Sequence, residues 1–598
     1  MNAAAENQVP LPIAEAVAHL RESGLSKYVT DPEPCMGAAF HRNWYLITCT
    51  VCPRVPADGS FPSRVPLEIF IHPAFPYGEI EVFPPESICH YPHQGPGNRK
   101  LCLKADYKAP VDRSRLTVYV AWAKEWLEDA AKDLLLKPTD PYELPPFNVP
   151  ANAAGPMVLF QEDDTSFQWW RSSPRKQGLF EFVLPSDRKT ILVARFSASH
   201  DDLPLRWGSH VEDEHRGTGI WLLCSDELVV ERRRAPLKWG ELRPILEQEG
   251  ISLRGTLLEY AARASFDAKR TLFLVGFPIP KTVAGEKVEV HWQPIFLSDW
   301  RVAPQGIRPS KQEIIIQYAL MEGVMSPSKL IPWGSSTNVS PNRFFGRGAL
   351  PKGLQETSVS LVGCGSLGSA IASLLTRGGL RKIVLFDGDS IIPGNLSRHE
   401  CDLTDVGQNK ARSLAIRLCR ISPHLELTAC SLNLPFLDEH VPEYETLTSS
   451  DLWIDCSSNE RIHLYLDNLA RSCGKVLVHT YVTLGAKYIC GCSGGDKGTS
   501  EEIHNFVLAE RGRSSIPDDF FEQPKEEDLL LEGAGCWHPT FPAAWYSIQL
   551  LAGSFVSQLS RLFPSEWRTP WAFVMQNPWP HGGTETITNP VIWFRTFP

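Results

Sequence analysis

The sequence predicts a three-part chain: an N-terminal α+β domain, a mixed α/β linker domain and a C-terminal α/β domain with a Rossmann-like sheet. Three observations support this. A glycine-rich turn links a strand, a helix and a second strand within residues 357–398. Near the N-terminus, a helix, several short strands, a cysteine-bearing loop and a second helix follow one another. Strand-like runs alternate with polar loops in between. The expected domains are 1–148, 149–335 and 336–598.

Composition narrows the classes of protein further. A chain of 598 residues with a formal charge of −10 and no polybasic block is unlike a nucleic-acid scaffold. No apolar run approaches membrane length, and the N-terminus lacks the basic and apolar regions of a signal peptide. The 15 cysteines have no framework spacing, which suits reduced thiols. We therefore expect a cytoplasmic protein that binds neither nucleic acid nor membranes.

The glycine-rich turn predicts a nucleotide site. Gly363, Gly365 and Gly368 follow an apolar strand and precede a helix, so backbone N–H groups and the helix N-terminus can face a phosphate. Asp387 closes the next strand, where a carboxylate can accept from ribose hydroxyls. Taken alone, this unit favours an NAD-dependent oxidoreductase.

The residues after that strand favour ATP instead. Asn395 and Arg398 follow closely, and Lys410 lies in a predicted helix over 409–420. Cations here suit an ATP phosphate tail on which charge develops as pyrophosphate leaves. The ordered pattern GxGxxG, DxD, NLxR and Lys resembles the adenylation domain of the E1 and ThiF/MoeB superfamily. That resemblance implies ATP and Mg²⁺ as cofactors and a homodimer formed through this domain.

The magnesium ligand departs from the superfamily pattern. Its motif D-x-T-D-N corresponds here to Asp-Cys-Ser-Ser-Asn, with Ser458 where the metal-binding Asp is usual. Asp455 is the nearest carboxylate and the replacement candidate, although a strand-end cap would explain it too. Asp389 is a further candidate ligand. Arg343 and Arg347 either reach an ATP phosphate or are solvated.

The N-terminal domain resembles the ubiquitin-conjugating (E2) fold. A helix is predicted over 11–24 and another over 116–136, with strands between them. A Phe-, Tyr- and Pro-rich stretch precedes a loop that leads to Leu-Cys-Leu at 101–103. The resemblance implies that Cys102 is the nucleophile, and a buried hydrophobe between two leucines is the alternative.

One departure from the E2 pattern concerns the residues ahead of the cysteine. E2 enzymes usually carry His-Pro-Asn there, and the Asn helps to position the loop and the oxyanion. Here the stretch is Tyr-Pro-His-Gln, so His93 or Gln94 is implied in that role. A different arrangement for isopeptide formation remains an alternative.

A second nucleophile is predicted near the C-terminus. Gly535 and Cys536 precede a predicted helix over 545–559 and follow a polar, acidic segment. In E1-like proteins such a loop crosses the nucleotide site and carries the thioester cysteine. His538 is the neighbouring imidazole that could lower a thiol pKa. The C-x-C pair at 490–492 is not the paired C-x-x-C of a superfamily zinc site, so no zinc is expected from it.

The whole arrangement resembles the E2–E1 fusion proteins of bacterial CBASS antiphage operons. The resemblance implies that the C-terminus of a CD-NTase is adenylated, carried by Cys536, passed to Cys102 and joined to a target lysine, which primes the CD-NTase. A bacterial ubiquitin-like protein is the alternative acyl donor. An NAD-dependent oxidoreductase and a non-catalytic scaffold are the alternatives from other classes. Residues 157–335 carry no motif and are interpreted as a spacer.

Overall fold

The computed structural model forms two compact units. They are Met1–Pro204 with Arg216–Asn338, and Leu205–His215 with Val339–Pro598. The structure describes every residue except 1–9, 36–43, 57–58, 96–98, 105–107, 148, 150–154, 186–188, 198–201, 213–214, 261–262, 265–269, 299–310, 438–439, 513–515, 522–529, 533–537, 541–542, 564, 580–589 and 598. Within these described ranges, no helix has both the length and the apolar character needed to cross a bilayer.

The first unit begins with a four-stranded antiparallel meander covered by two helices. Its elements are α1 Leu11–Glu22, β1 Val29–Cys35, β2 Tyr45–Val51, β3 Val65–Ile71, β4 Ile80–Phe83 and α2 Arg115–Ala131. The edge strand β1 was not predicted, because it contains Pro32 and Pro34. Proline is tolerated at a sheet edge. Helix α2 ends at Ala131 rather than 136, and Asp133 adopts a left-handed φ of 57° just beyond it.

The rest of the first unit is a mixed sheet in the order β11-β10-β9-β6-β7-β5-β12, with β8 paired to β7. The elements in this stretch of the chain are β5 Met157–Phe160, α3 Asp164–Ser172, β6 Gln177–Leu184, β7 Thr190–Ser197, β8 Asp202–Pro204, α4 Ser209–Glu212, β9 His215–Leu223, α5 Trp239–Gln248, α6 Leu253–Tyr260, β10 Arg270–Pro280, β11 Lys287–Ser298, α7 Lys311–Val324 and β12 Ser336–Asn338. Helix α4 belongs to the second unit. The strand-like runs predicted between the two terminal domains are thus present as strands of this sheet.

A buried carboxyl group lies in this mixed-sheet region. Glu162 is 1% exposed, and its Oε1 accepts from the indole N–H groups of Trp170 at 2.9 Å and Trp292 at 2.7 Å. Its Oε2 contacts the Ser166 hydroxyl, which can also donate to the Asp163 carbonyl. A protonated Glu162 satisfies the whole network, because its own O–H can donate to Ser166. Burial raises the pKa of Glu162 to about 8.

This buried carboxyl predicts a pH-dependent stability. The folded chain holds the proton of Glu162 more tightly than the unfolded chain, so the free energy of unfolding should fall as pH rises from about 4.5 to about 8. The full effect is on the order of 5 kcal/mol, and Glu162→Gln should flatten that slope. Urea unfolding at pH 5 and pH 8.5 measures it, with exposed Asp164→Asn as the control. An equally steep slope in Glu162→Gln would contradict the assignment.

The second unit is built on one eight-stranded sheet in the order β15-β14-β13-β16-β17-β18-β21-β22. Its elements from residue 339 onward are α8 Pro341–Phe344, α9 Lys352–Glu356, β13 Ser358–Val362, α10 Ser366–Arg377, β14 Lys382–Phe386, α11 Lys410–Ile421, β15 Glu426–Cys430, α12 Val441–Thr448, β16 Leu452–Asp455, α13 Glu460–Cys473, β17 Val476–Val482, β18 Tyr488–Ser493, α14 Ser500–Ala509, β19 Leu530–Glu532, β20 His538–Thr540, α15 Trp545–Leu562, β21 Trp571–Gln576 and β22 Ile592–Thr596.

The parallel half of this sheet positions the predicted nucleotide site. Strands β15, β14, β13, β16 and β17 run parallel, and β13 is buried at all five positions. Central strands of a parallel sheet are covered on both faces, which explains their continuous apolar runs. Val362 pairs with Phe386 on one side and Asp455 on the other. The ends of β13, β14 and β16 therefore meet at one edge, where ligands of open α/β sheets bind.

Candidate functional site

The three glycines of the turn after β13 have different surroundings. Gly363 has a φ of +88°, and a Cβ there would lie 2.7 Å from the Ser457 nitrogen. A Cβ at Gly368 would lie 1.9 Å from the Gly363 oxygen, so both positions require glycine for packing. A Cβ at Gly365 would have no described atom within 4 Å. Gly365 is also the N-cap of α10 and makes no side-chain cap. The turn thus leaves space and helix N–H donors for a phosphate.

Asp387, at the end of β14, stabilises this turn through hydrogen bonds to backbone N–H groups. Its Oδ2 accepts from the Cys364 nitrogen at 2.7 Å and its Oδ1 from the Asp389 nitrogen at 2.9 Å. Burial raises the pKa of Asp387, and the nearby Lys410 charge opposes that shift. Each carboxylate oxygen keeps a further lone pair, so Asp387 can still accept from a ribose hydroxyl.

Lys410 lies beside this carboxylate pair. Its Nζ is 2.9 Å from Asp389 Oδ2, and the Lys410 side chain is 14% exposed against 64% for Asp389. Asn409 caps α11 through its Oδ1 and donates from Nδ2 to the carbonyl oxygens of Asp387 and Asp389. The helix start is thereby fixed against the strand end. Asn409 escaped prediction, although a cap residue just before a helical run is its sequence signal.

The segment with Asn395 and Arg398 forms a 3-10 turn, Pro393–Arg398. Asn395 Oδ1 accepts from the Ile392 nitrogen at 3.1 Å, and the Arg398 side chain is half-buried.

His399 follows this turn and is 6% exposed. Its Nε2 lies 2.6 Å from the Cys364 carbonyl oxygen and its Nδ1 accepts from the Cys401 nitrogen, so the ring is neutral with Nε2 as donor. Burial lowers its pKa further. His399 therefore ties this turn to the glycine loop, a role that no sequence pattern indicated.

The structure turns Asp455 inward. Its side chain is fully buried, Oδ1 accepts from the Ser457 nitrogen at 2.9 Å, and Oδ2 is 2.9 Å from His479 Nδ1. Burial would raise the pKa of Asp455, but its contacts with His463 and His479 outweigh this and hold it below the usual range. Mg²⁺ at a nucleotide keeps several waters, so this buried carboxylate does not fit it. The carboxylate of Asp389 is exposed and does fit a hydrated Mg²⁺ ion.

Other predicted residues lie at the surface or outside the described ranges. Arg343 and Arg347 are exposed, as is Ser458, which precedes the N-cap of α13. Cys536 lies outside the described residues. The side chain of His538 lies outside them too.

Cys102 lies in a short hairpin-like loop of the N-terminal α+β region. Gln94 pairs with Leu101 in an antiparallel bridge, and the Cys102 nitrogen donates to the His93 carbonyl at 2.8 Å. The thiol residue is exposed, whereas Leu101 is buried. The apolar neighbour anchors the loop and leaves the cysteine at its surface.

The two candidate oxyanion residues differ in their contacts. Gln94 is 9% exposed; its Oε1 accepts from the Tyr91 nitrogen at 2.9 Å and its Nε2 donates to the Ile88 carbonyl at 3.0 Å. This geometry favours loop positioning for Gln94. His93 has a left-handed φ of 56°, and its Nδ1 lies 3.8 Å from Glu143 Oε2.

Glu143 predicts a testable change in thiol reactivity. Partial burial raises the pKa of Cys102, the Glu143 charge raises it further, and Lys100 lowers it. Glu143→Gln should therefore lower the thiol pKa and shift the pH profile of iodoacetamide alkylation at Cys102 to lower pH. Exposed Glu79→Gln is the control. An unmoved or raised profile would show that Glu143 does not act on this thiol.

One edge of the parallel sheet therefore combines a glycine turn, two carboxylates and a paired lysine, an arrangement typical of nucleotide-binding α/β proteins. Comparison with known proteins is consistent with this. Residues 338–495 match the ThiF family, and residues 133–338 match the Cap2 central linker domain. The chain thus joins a region that matches the Cap2 linker domain to a region that matches the ThiF family, and this order confirms the predicted resemblance to Cap2-like fusion proteins.

Individual relatives agree with these matches. The chain is 26% identical over 437 residues to the ATP-dependent ubiquitin transferase-like protein Cap2 of Enterobacter hormaechei, which covers 71% of this chain and 70% of that protein. It is 30% identical over 99 residues to ubiquitin-like modifier-activating enzyme 5 of Bombyx mori, covering 17% and 25%. A crystal structure of E. coli MccB with ATP aligns over 41% of this chain and 64% of that chain, at 15% identity and a TM-score of 0.27, which supports no functional argument.

Proposed function

We propose that the chain uses ATP to activate the C-terminus of a partner protein and passes that acyl group through two thioesters to an amine. The observation that carries the proposal is Lys410, paired with Asp389 next to Asp387 and the glycine turn. A dinucleotide held by backbone donors has no need of this cation, whereas a departing pyrophosphate does.

The first step is adenylation. A carboxylate oxygen of the partner attacks the α-phosphorus of ATP, the bond to the β-phosphate oxygen breaks, and pyrophosphate leaves. The glycine turn and the start of α10 hold phosphate oxygens, and Asp387 accepts from the ribose. Asn395, Arg398 and Lys410 bind the phosphate tail. Magnesium neutralises phosphate charge when bound, and Asp389 would hold it.

The later steps transfer the acyl group between sulfur atoms. The thiolate of Cys536 attacks the acyl-adenylate carbonyl and AMP leaves. The thiolate of Cys102 then attacks that thioester and the Cys536 thiolate leaves. Finally a lysine amine attacks the second thioester, loses its proton, and the Cys102 thiolate leaves. Splitting one high barrier into several lower ones is the benefit of covalent intermediates. The exposed Cys102 in its loop, within an E2-like α+β domain, supports this assignment.

The partner follows from the resemblance to CBASS fusion proteins and to the Cap2 relative. We propose a CD-NTase as acyl donor, in a cytoplasmic antiphage system, with the chain acting as a homodimer through its ThiF domain. A bacterial ubiquitin-like protein is the second candidate donor, favoured by the match to a ubiquitin-like modifier-activating enzyme.

Two cysteine variants test the order of the relay. Cys536→Ala should leave partner-dependent pyrophosphate release intact and abolish any adduct on Cys102. Cys102→Ala should trap the acyl group on the upstream thiol. Non-reducing gels of acid-quenched reactions with ATP measure both, and the half-buried Cys52→Ala serves as the matched control. If Cys536→Ala still charges Cys102, the first nucleophile is assigned wrongly.

A further inference from the structure

Three buried side chains meet beside the nucleotide edge of the sheet. Asp455 ends β16, His479 is its direct partner on β17, and His463 lies on α13, which connects the two strands. They are 0%, 6% and 4% exposed respectively. One ligand-type atom from each lies within 4.8 Å of the others. The proposed adenylation uses none of the three.

His463 has unsatisfied bonding capacity. Neither of its ring nitrogens has a hydrogen-bond partner among the described residues. Its Nδ1 lies 3.5 Å from Asp455 Oδ2, and its ring contacts that of His479 with centroids 3.8 Å apart and the ring planes tilted by 35°. A buried imidazole without a partner is costly, because burial removes its water bonds and nothing replaces them. Its orientation toward a carboxylate and a second imidazole indicates that something else binds there.

The distances suit a metal ion that prefers nitrogen ligands. Asp455 Oδ2 lies 2.9 Å from His479 Nδ1 and 3.5 Å from His463 Nδ1. Ligand atoms around a tetrahedral zinc ion, with bonds of about 2.0–2.2 Å, are about 3.3–3.5 Å apart. Small side-chain shifts therefore bring three ligands into place, and the fourth position takes a water. The ion would replace the proton that His479 and Asp455 share, which leaves to solvent.

We propose that Asp455, His463 and His479 bind a zinc-type divalent cation, at a site separate from the magnesium that accompanies ATP. The ion ties α13 to β16 and β17. Through Asp455 it also holds the loop after β16, and a Cβ on Gly363 would lie only 2.7 Å from that loop's Ser457 nitrogen. The site therefore stabilises the loop against which the glycine turn packs. The proposal does not depend on the proposed adenylation.

Metal analysis of the untagged full chain tests the site. Protein stripped with EDTA and reloaded with Zn²⁺ should hold about one ion per chain after desalting, and its melting temperature should rise with added Zn²⁺. His463→Gln should lose the ion and the rise. His504→Gln should keep both, since His504 is a half-buried histidine with its ring 5.7 Å from that of His479 and lies outside the triad.

A second measurement covers the case in which His463→Gln fails to fold. X-ray absorption of the zinc-loaded wild-type chain should show a first shell of nitrogen and oxygen with imidazole scattering. A sulfur-dominated shell, no retained zinc, or equal zinc in folded His463→Gln would each overturn the proposal.

Discussion

Lys410→Ala should reduce partner-dependent ATP–pyrophosphate exchange by about 10²- to 10³-fold, the range found when one preorganised charge-stabilising donor is removed. The side chain is 14% exposed, and its charge acts on Asp387. Charge on the leaving pyrophosphate grows only as the reaction proceeds, so the loss should appear mainly in turnover and less in ATP affinity.

Arg412→Ala is the matched control, because Arg412 is an exposed cation on the same helix, α11. It should leave exchange close to wild type. If Lys410→Ala retains full exchange, then Lys410 serves only as the structural partner of Asp389.

Gly365→Ala should fold normally and lose about 10²-fold in nucleotide affinity, because its new methyl group enters the space left for a phosphate. Gly365 has φ −72° and ψ −158°, which alanine adopts without strain. Isothermal titration with ATP measures affinity, and a thermal melt measures folding.

Gly368→Ala should behave differently. Its Cβ would overlap the Gly363 oxygen at 1.9 Å, so the free energy of unfolding should fall by about 3 kcal/mol or more. Gly553→Ala, at an open position of α15, controls for the substitution itself and should stabilise slightly. Normal ATP binding by Gly365→Ala would contradict a phosphate site at this turn.

The nucleotide-binding half of the fold was predictable because its signals are local. The apolar run of β13, the three glycines, the acid at the end of β14 and the helical run of α11 are contiguous patterns, and the structure has all of these elements within a few residues of the predicted bounds. The strands of the linker region were also predicted from local patterns. Their order in the sheet could not be predicted, because pairings such as β5 with β12 join residues far apart in the chain.

The features that the sequence did not predict are contacts between residues that lie far apart in the chain. The bonds of His399 to Cys364 and of His479 to Asp455 link separate segments, and no periodic pattern in the sequence predicts such contacts. Asp455 was predicted as a magnesium ligand because a strand-end carboxylate near a nucleotide is a typical one. Its inward orientation depends on two histidines that lie 8 and 24 residues further along the chain. Gln94 stands where the E2 pattern expects Asn, and only the bonds of its amide show that it positions the loop.

The most direct test of the proposed relay is a mass measurement on the wild-type chain. After incubation with ATP, Mg²⁺ and a CD-NTase with a free C-terminus, acid-quenched protein should carry the partner's mass less one water. Peptide mapping should place the bond on Cys102, and dithiothreitol should remove it. An unchanged mass with no pyrophosphate released, for both the CD-NTase and a ubiquitin-like partner, would contradict the account.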